Sequence, residues 1–174
     1  MNLYKKMKPY LYFLYVGIIG LGILIDQITK LIAVNYLKPV YDVPLWEGVF
    51  HFTYHENSGM AFSMLSGSDE RWIFITVSVI AIAGLGAYLF LGHVENRLTG
   101  ISISLIVSGG IGNMIDRLSE RATVIDFLNF ELIDFAIFNV ADSFVCIGAG
   151  LMILSLVLEI INDSKKNKVE HKND

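Results

Sequence analysis

The feature that most constrains this chain is the run from Trp72 to Leu91, twenty residues without a charged side chain. A helix rises about 1.5 Å per residue, so about 20 apolar residues cross the roughly 30 Å hydrocarbon core of a bilayer. Comparable runs extend from Leu98 to Ile115, from Phe138 to Leu158 and from Tyr10 to about Leu37. These four runs predict four transmembrane helices.

The composition supports a membrane protein and excludes several other classes. Of the 174 residues, 54% are hydrophobic and only 17% are charged, and the mean hydropathy is +0.57. A soluble domain usually has about 25% charged residues, because its surface needs polar groups. The net charge of −4 gives no basic surface for nucleic acid, and the single cysteine, Cys146, excludes an internal disulfide. We therefore predict an integral membrane protein of mainly α-helical fold.

Lysine and arginine accumulate on one side of the predicted helices. Eight flank the side that contains both termini, against five in or beside the opposite segments. Because such a bias marks the cytoplasmic side, we expect both termini in the cytoplasm. We also expect one membrane domain over residues 1–162 and a charged, disordered cytoplasmic tail over residues 163–174. The basic start resembles that of a signal peptide, but no small-residue cleavage site follows before Asp26.

The segment over about residues 39–70 is the longest connection on the outer side. It alternates apolar and polar residues, as at Phe52 and Tyr54, and contains turn residues such as Pro44 and Gly48. This pattern predicts short strands and a brief interfacial helix. The fold class is therefore four transmembrane helices with a small extracytoplasmic β-rich segment.

Four aspartates are predicted to lie at one depth, near the outer face. The first helix runs outward, and Asp26 lies about 24 Å along it. Asp116 follows the third run, Asp142 lies about one turn inside the fourth, and Asp126 lies in the connection between them. An ionisable residue in a membrane is costly, so these carboxylates indicate a functional site at the outer boundary.

Asp126 and Asp142 carry the strongest chemical signal. Both are flanked by apolar residues, so neither carboxylate would be fully solvated. Two such carboxyl groups share a proton, which raises one pKa, lowers the other and leaves an acid beside a base. That pair can activate water against an amide carbonyl, as in aspartic proteases. The alternative is structural: Asp142 caps a helix, although it lies several residues inside its run, and Asp126 makes a turn.

Asp26 and Lys30 stand four residues apart with the acid first, the favourable order for a helical ion pair. The simplest interpretation is a neutralised pair at the membrane edge, with Lys30 extended toward the headgroups. Asp116 and Arg117 allow the same interpretation. Arg117 could instead bind a backbone carbonyl or a lipid phosphate.

Three weaker patterns have less specific interpretations. The glycine-rich stretch from Ser108 to Asn113 lies inside a predicted span and indicates helix packing rather than phosphate binding. His51 and His55 lack further ligands, so we predict no metal site and no cofactor. A catalytic pair of Ser58 and Lys30 remains conceivable.

Five sequence blocks stand out in the chain: Asp26 to Lys30, Asn57 to Ser63, Gly109 to Arg117, Val124 to Phe127 and Phe138 to Ser143. In this order they resemble the blocks of bacterial lipoprotein signal peptidase, also called signal peptidase II. Any one block would be weak, but five in order are highly specific. The chain differs from the usual pattern at Met60, where the family has alanine, and at Ile125, where it has valine.

The resemblance implies an aspartic endopeptidase of the bacterial plasma membrane, with its active site near the outer face. Such an enzyme removes signal peptides from diacylglyceryl-modified prolipoproteins and cleaves just before the lipidated cysteine. Asp126 and Asp142 match the catalytic aspartates, and the expected partners are prolipoproteins and membrane lipid, for a monomeric enzyme. The resemblance places these residues in or around the substrate pocket: Asp26, Lys30, Asn57, Gly59, Ala61, Gly109, Asn113, Arg117, Asn139 and Ala141.

Two other functional classes remain. Buried carboxylates also build the paths of proton- or ion-coupled carriers. A carrier places its charges near the midplane, often in paired halves, whereas these aspartates lie at one face and no internal repeat appears. A membrane scaffold protein would tolerate neutral asparagine at both Asp126 and Asp142.

Overall fold

The computed structural model describes residues 8–59, 69–91, 94, 96–133 and 135–170. Four of its helices are long and apolar enough to cross a membrane, which confirms the predicted fold class. A small antiparallel sheet accompanies them. The elements in chain order are α1 (Pro9–Ile32), a π-helical turn (Ala33–Leu37), β1 (Asp42–Trp46), β2 (Phe50–Asn57), α2 (Asp69–Phe90), α3 (Arg97–Leu118), β3 (Val124–Phe130) and α4 (Val140–Glu170).

The local sequence explains where the first and third helices begin. Pro9 occupies the first turn of α1, where its missing N–H leaves no hydrogen bond unmade. Asn96 caps α3, because its side-chain oxygen accepts a hydrogen bond of 2.9 Å from the N–H of Thr99.

Helix α3 lies at the centre of the bundle and is the most buried of the four spans. Small residues permit this position, since a side chain at Gly109 would collide with the carbonyl oxygen of Ala141 on α4. On the other side, a Cβ at Gly22 of α1 would lie 2.5 Å from the hydroxyl oxygen of Ser108. The glycine-rich stretch of α3 therefore serves helix packing, as the sequence predicts.

The sheet has the order β1–β2–β3, and both pairs are antiparallel. Strands β1 and β2 confirm the strands expected in the outer segment. The structure shows no helix at residues 39–59. The rest of the segment in which the interfacial helix was predicted, residues 60–68, lies outside the described residues. Asp126 lies in the connection between the third and fourth spans, as expected, but this connection also contains the strand β3, which was not predicted. Its Val124 pairs with Asn57, and its Asp126 pairs with His55.

The sheet is joined to the helices by a hydrophobic cluster. Ala33 and Leu37 of the π-helical turn pack against Tyr54 of β2 and against Ile125 and Phe127 of β3. These side chains are buried, so β3 is anchored beside the end of α1. The cluster thereby fixes the position of Asp126, which lies between Ile125 and Phe127.

Two expectations about α4 need correction. The helix continues to Glu170, so residues 163–170 are helical rather than disordered. The charged residues there extend the helix beyond the apolar span, which ends at Lys165. The helix also begins at Val140 rather than Phe138. This difference of two residues changes the role of Asp142.

Candidate active site

The start of α4 is built by Asn139 and Asp142. The Asn139 side-chain oxygen accepts a hydrogen bond of 3.0 Å from the Asp142 N–H, and Asp142 Oδ2 accepts one of 3.1 Å from the Asn139 N–H. This reciprocal arrangement is a capping box. The structural interpretation of Asp142 as a helix cap is therefore correct. Its other oxygen, Oδ1, accepts a hydrogen bond of 2.8 Å from the side-chain amide of Asn113 on α3.

Asp126 lies on β3 and is almost completely buried, with 1% of its surface exposed. Its Oδ1 accepts a hydrogen bond of 2.7 Å from the Asn139 side chain, and its Oδ2 accepts one of 2.9 Å from the Asn57 side chain. The structural alternative for Asp126, a loop turn, is wrong because the residue is in a strand. Asn139 therefore bonds to both aspartates, and we call Asp126 and Asp142 the aspartate pair.

Burial of the Asp126 carboxyl raises its pKa to about 6. Hydrogen bonds from Asn57 and Asn139 act in the opposite direction, because they favour the ionised form. The negative charge of Asp142 acts in the same direction as burial. A carboxyl group with this pKa can hold or release a proton near neutral pH.

Lys30 forms a second charged group beside the aspartate pair. Its Nζ lies 2.9 Å from Asp26 Oδ2 and 2.9 Å from Asp116 Oδ2, and all three side chains are buried. We call Asp26, Lys30 and Asp116 the ion cluster. Lys30 does not extend toward headgroups, as the simplest interpretation had it, because its ammonium group is held between two carboxylates. Its third contact, 2.9 Å to the Asn113 side-chain oxygen, completes its donor capacity.

Asn113 connects the ion cluster with the aspartate pair. Its side-chain oxygen accepts from Lys30 and, at 3.0 Å, from Asn139, while its nitrogen donates to Asp142. Asp26 Oδ1 also accepts a hydrogen bond of 3.0 Å from the N–H of Ala141, in the first turn of α4. Helices α1, α3 and α4 and strand β3 thus meet in one hydrogen-bonded network.

Asn57 owes its position to the turn that follows β2. The N–H of Gly59 donates a hydrogen bond of 2.9 Å to the Asn57 side-chain oxygen, which leaves the amide nitrogen to face Asp126. Gly59 has a φ of +88°, and a Cβ there would lie 2.8 Å from the Phe74 ring. Glycine is therefore required by both conformation and space.

Arg117 lies on α3 at the edge of the site. Its guanidinium carbon is 5.4 Å from the centre of the Phe74 ring, and its charge acts on Asp142, Asp126 and Asp116. The distance from Arg117 Nη1 to the backbone oxygen of Asn113 is 3.5 Å. Arg117 thus places a positive charge at the edge of the site, separate from the ion cluster.

The structure brings most of the predicted site residues together. Asp26, Lys30, Asn57, Asn113, Asp126, Asn139, Ala141 and Asp142 share direct hydrogen bonds or ion pairs. Gly59 and Gly109 act through backbone position and close packing, and Arg117 borders the group. Ala61 lies outside the described residues, as does Met60.

Two alternatives from the sequence analysis do not match the geometry. Ser58 is exposed, whereas Lys30 is buried and occupied by its three partners. His51 contacts Asp42, with 2.9 Å between its Nδ1 and Asp42 Oδ2, and His55 is exposed. Among the residues that the structure describes, no group of three histidine, cysteine or acidic side chains could hold a metal ion.

Sequence reasoning missed Gln27 and Gly112, and it paired Asp116 with Arg117 rather than with Lys30. Gln27 donates to Asp26 Oδ2, to the Gly112 carbonyl and to Asp116 Oδ1 over 3.1 to 3.3 Å. Asp116 accepts a hydrogen bond of 3.2 Å from the N–H of Ile125, which attaches α3 to β3. Gln27, Gly112 and Asp116 all belong to the blocks that carry the family resemblance, and that position was the available signal. Phe74, which lies beside Gly59 and Arg117, is outside these blocks, so no sequence signal pointed to it.

The chain matches a known protein family over most of its length. The family model described as signal peptidase (SPase) II matches residues 18–158. A lipoprotein signal peptidase of Brevibacillus brevis is 39% identical over 158 residues, which cover 90% of this chain and 99% of that protein. A lipoprotein signal peptidase of Nostoc sp. is 43% identical over 133 residues, 75% of this chain and 81% of that protein.

Solved structures show the same architecture. A bacterial membrane enzyme solved by the in meso method at 2.3 Å resolution has a TM-score of 0.77 and 29% identity, covering 92% of this chain and 95% of that one. A second, at 1.9 Å, has a TM-score of 0.74 and 30% identity, covering 82% and 91%. This multi-pass bacterial membrane protein therefore belongs to the signal peptidase II family, the lipoprotein signal peptidases.

Proposed function

We propose that this protein is an aspartic endopeptidase that removes signal peptides from diacylglyceryl-modified prolipoproteins, cleaving just before the lipidated cysteine. The observation that carries the proposal is the position of Asn139, which hydrogen-bonds to both Asp126 and Asp142. Two carboxyl groups held around one amide can share a proton and act on one water molecule. Family membership supplies the class of substrate.

The two aspartates have different roles in this mechanism. Asp126 is the carboxyl group that holds the shared proton, since burial raises its pKa to about 6. Its proton polarises the scissile carbonyl, while the Asp142 carboxylate accepts a proton from the attacking water. The tetrahedral intermediate then collapses, and the leaving nitrogen of the lipidated cysteine takes up a proton.

The neighbouring residues position this pair. Asn57 and Asn139 hold the two Asp126 oxygens, and Asn113 holds Asp142. Asp26 and Lys30 support the start of α4 and the Asn113 side chain, so they act through other residues. Arg117 borders the aspartate pair and is the group that we assign to a substrate backbone carbonyl.

The proposed orientation places the aspartate pair at the outer face of the bacterial plasma membrane, with both termini in the cytoplasm. A signal peptide crosses the membrane, and the lipidated cysteine begins the part that is retained outside. Cleavage at this depth requires water, which a polar network at the membrane boundary can admit. We expect the enzyme to act as a monomer, because the network is complete within one chain.

The pH dependence of turnover follows from the shared proton. The active form holds one proton on the aspartate pair, so activity is lost when a second proton binds at low pH. It is lost again when the shared proton leaves at higher pH, in a limb that we expect near the raised pKa of Asp126, about 6 in the free enzyme. A bell-shaped profile of kcat/KM is expected, and a monotonic one contradicts the shared proton.

The function is tested by incubating the purified protein in detergent with a diacylglyceryl-modified prolipoprotein. Mass spectrometry should detect a product that begins at the lipidated cysteine, together with the free signal peptide. The same prolipoprotein without its diacylglyceryl group is the matched control and should remain uncleaved. If folded protein cleaves neither substrate, the peptidase proposal is wrong and the carrier interpretation regains support.

A further inference from the structure

A cleft of about 390 Å³ lies among three helices, far from the aspartate pair. Helix α3 forms its floor, and α2 and α4 form its walls. Most of its lining is apolar, and Glu159 is the charged group among the described lining residues. We call it the α2–α4 cleft; its lining residues are Leu85, Tyr88, Thr99, Ile103, Met152, Leu156 and Glu159.

The Glu159 carboxylate is held at the end of this cleft. Its Oε1 accepts a hydrogen bond from the Asn96 side chain, which also donates to Ser155 Oγ over 3.0 Å. Ser155 in turn contacts the hydroxyl of Thr99 at 2.8 Å. Within the described part of the chain, no ion pair within 4.0 Å includes Glu159. The cleft therefore presents one oriented negative charge.

The cleft and the aspartate pair lie along the same stripe of α4. Asp142, Val145, Ala149, Met152, Leu156 and Glu159 follow one another at spacings of three or four residues. Such residues share one face of a helix. At about 1.5 Å per residue, the 17 residues between Asp142 and Glu159 span about 26 Å, close to the thickness of the hydrocarbon core.

Helix α3 carries a matching stripe. Thr99, Ile103, Ile106, Gly110, Asn113 and Arg117 are likewise three or four residues apart. Helix α2 borders both ends, through Leu85 and Tyr88 at the cleft and through Phe74 beside Arg117. The α3 and α4 stripes thus run from the Glu159 cleft to the aspartate pair.

We propose that Glu159 in the α2–α4 cleft binds the basic n-region of the prolipoprotein signal peptide, while the scissile bond lies at the aspartate pair. This inference rests on the proposed function. A signal peptide has a positively charged n-region followed by an apolar stretch of about 7–15 residues. A helix of about ten residues and an extended stretch of about three span about 25 Å together, which matches the separation of Asp142 and Glu159 along α4. The positive charge of the n-region complements Glu159, and the apolar stretch complements the apolar residues that line the cleft.

The test measures KM and kcat for two diacylglyceryl-modified prolipoproteins that differ only in the n-region, one with two lysines and one with two glutamines. Glu159→Gln keeps an oxygen for the Asn96 hydrogen bond but removes the charge. We expect this variant to raise KM about threefold to tenfold for the lysine substrate, with kcat and the glutamine substrate unaffected. The matched control is Asp163→Asn, on the exposed following turn of α4, which should change neither substrate.

A charge reversal provides a second measurement. Glu159→Lys should disfavour the lysine substrate and recover affinity for a substrate with two glutamates in the n-region. If Glu159→Gln affects both original substrates equally, or if Asp163→Asn has the same effect, the inference is overturned. If the effect depends on the amine lipid content of nanodiscs rather than on the n-region, a lipid headgroup occupies the cleft and the inference is also wrong. Wild-type cleavage tests the proposed function separately.

Discussion

The ion cluster and the aspartate pair lie in one network but differ in how their charges are balanced. In the ion cluster, Lys30 lies 2.9 Å from both Asp26 and Asp116, so the carboxylates face a cation within the fold. The hydrogen-bond donors that hold Asp126 and Asp142 are amide groups. An amide orients a carboxylate without neutralising it.

This difference separates stability from chemistry. A buried carboxylate beside a cation is held by that ion pair, so a change in its charge would break the pair. A buried carboxylate held by amides can change its protonation state without breaking an ion pair. We therefore assign the ion cluster to folding and the aspartate pair to proton transfer, and substitutions in the two groups should have opposite consequences.

The largest expected effect is the loss of turnover on Asp126→Asn or Asp142→Asn. Each change removes a group that must accept or donate a proton, so kcat should fall at least about 10³-fold. Substrate binding and the folded state should persist, because asparagine has nearly the same shape. Single-turnover cleavage, equilibrium binding of the lipidated substrate and thermal unfolding in detergent measure these three properties. A variant with more than about a tenth of wild-type turnover contradicts the catalytic assignment.

Lys30→Met should have the opposite consequence, a loss of folding stability. Removing the cation leaves the Asp26 and Asp116 carboxylates buried and unpaired, which costs about 3–5 kcal/mol. The free energy of unfolding, from denaturant titration in detergent, measures this loss. Lys38→Met is the control, because Lys38 forms an exposed ion pair with Glu56. Equal unfolding free energies for the two variants would show that the ion cluster does not hold the helices together.

The sequence predicts the four spans better than it predicts the partners of each charged side chain. Apolar runs are local signals, and they located all four spans. The partner of Lys30 was not predictable in the same way, because Asp116 lies on another helix and only α1–α3 packing brings them together. Asp26, four residues earlier on the same helix, already balanced the charge of Lys30. The sequence therefore gave no reason to expect a second carboxylate partner.

Two structural details could not be read from the apolar pattern. The apolar run begins at Phe138, but the helix begins at Val140, and only this start makes Asp142 the third residue of the helix, where it can form a capping box with Asn139. Strand β3 is short and lies in a connection, and its pairing with β2 depends on the cluster around Ile125. Tertiary contacts determine where helices end and whether short strands form, and the apolar pattern of the sequence does not reveal these contacts.

The stability of the wild-type protein should depend on pH through Asp126. Its pKa is about 6 in the folded protein, against an ordinary value of 3.8, so the folded state binds the extra proton between these values. The stabilisation is fully present below 3.8 and is lost as pH rises through about 6. Asp126→Asn has no such titration. Relative to this variant, the wild type should lose up to about 3 kcal/mol of unfolding free energy between pH 4 and pH 7. Parallel curves for the two proteins would contradict the raised pKa.

The smallest expected effect comes from crowding the ion cluster without changing a charge. A Cβ at Gly112 would lie 2.5 Å from Asp26 Oδ2 and 3.3 Å from the Ala141 side chain. Gly112→Ala must therefore displace the carboxylate or separate α1 from α3, at a cost of about 1–3 kcal/mol. Gly17→Ala on α1 is the matched control, since no atom lies within 4 Å of a Cβ there. It gains the helix preference of alanine without a collision, so it should be neutral or stabilising by up to about 1 kcal/mol. If the two variants unfold at the same temperature, the ion cluster accommodates the added methyl group without losing stability. The ion cluster is then not a rigid support, and its structural contrast with the aspartate pair fails.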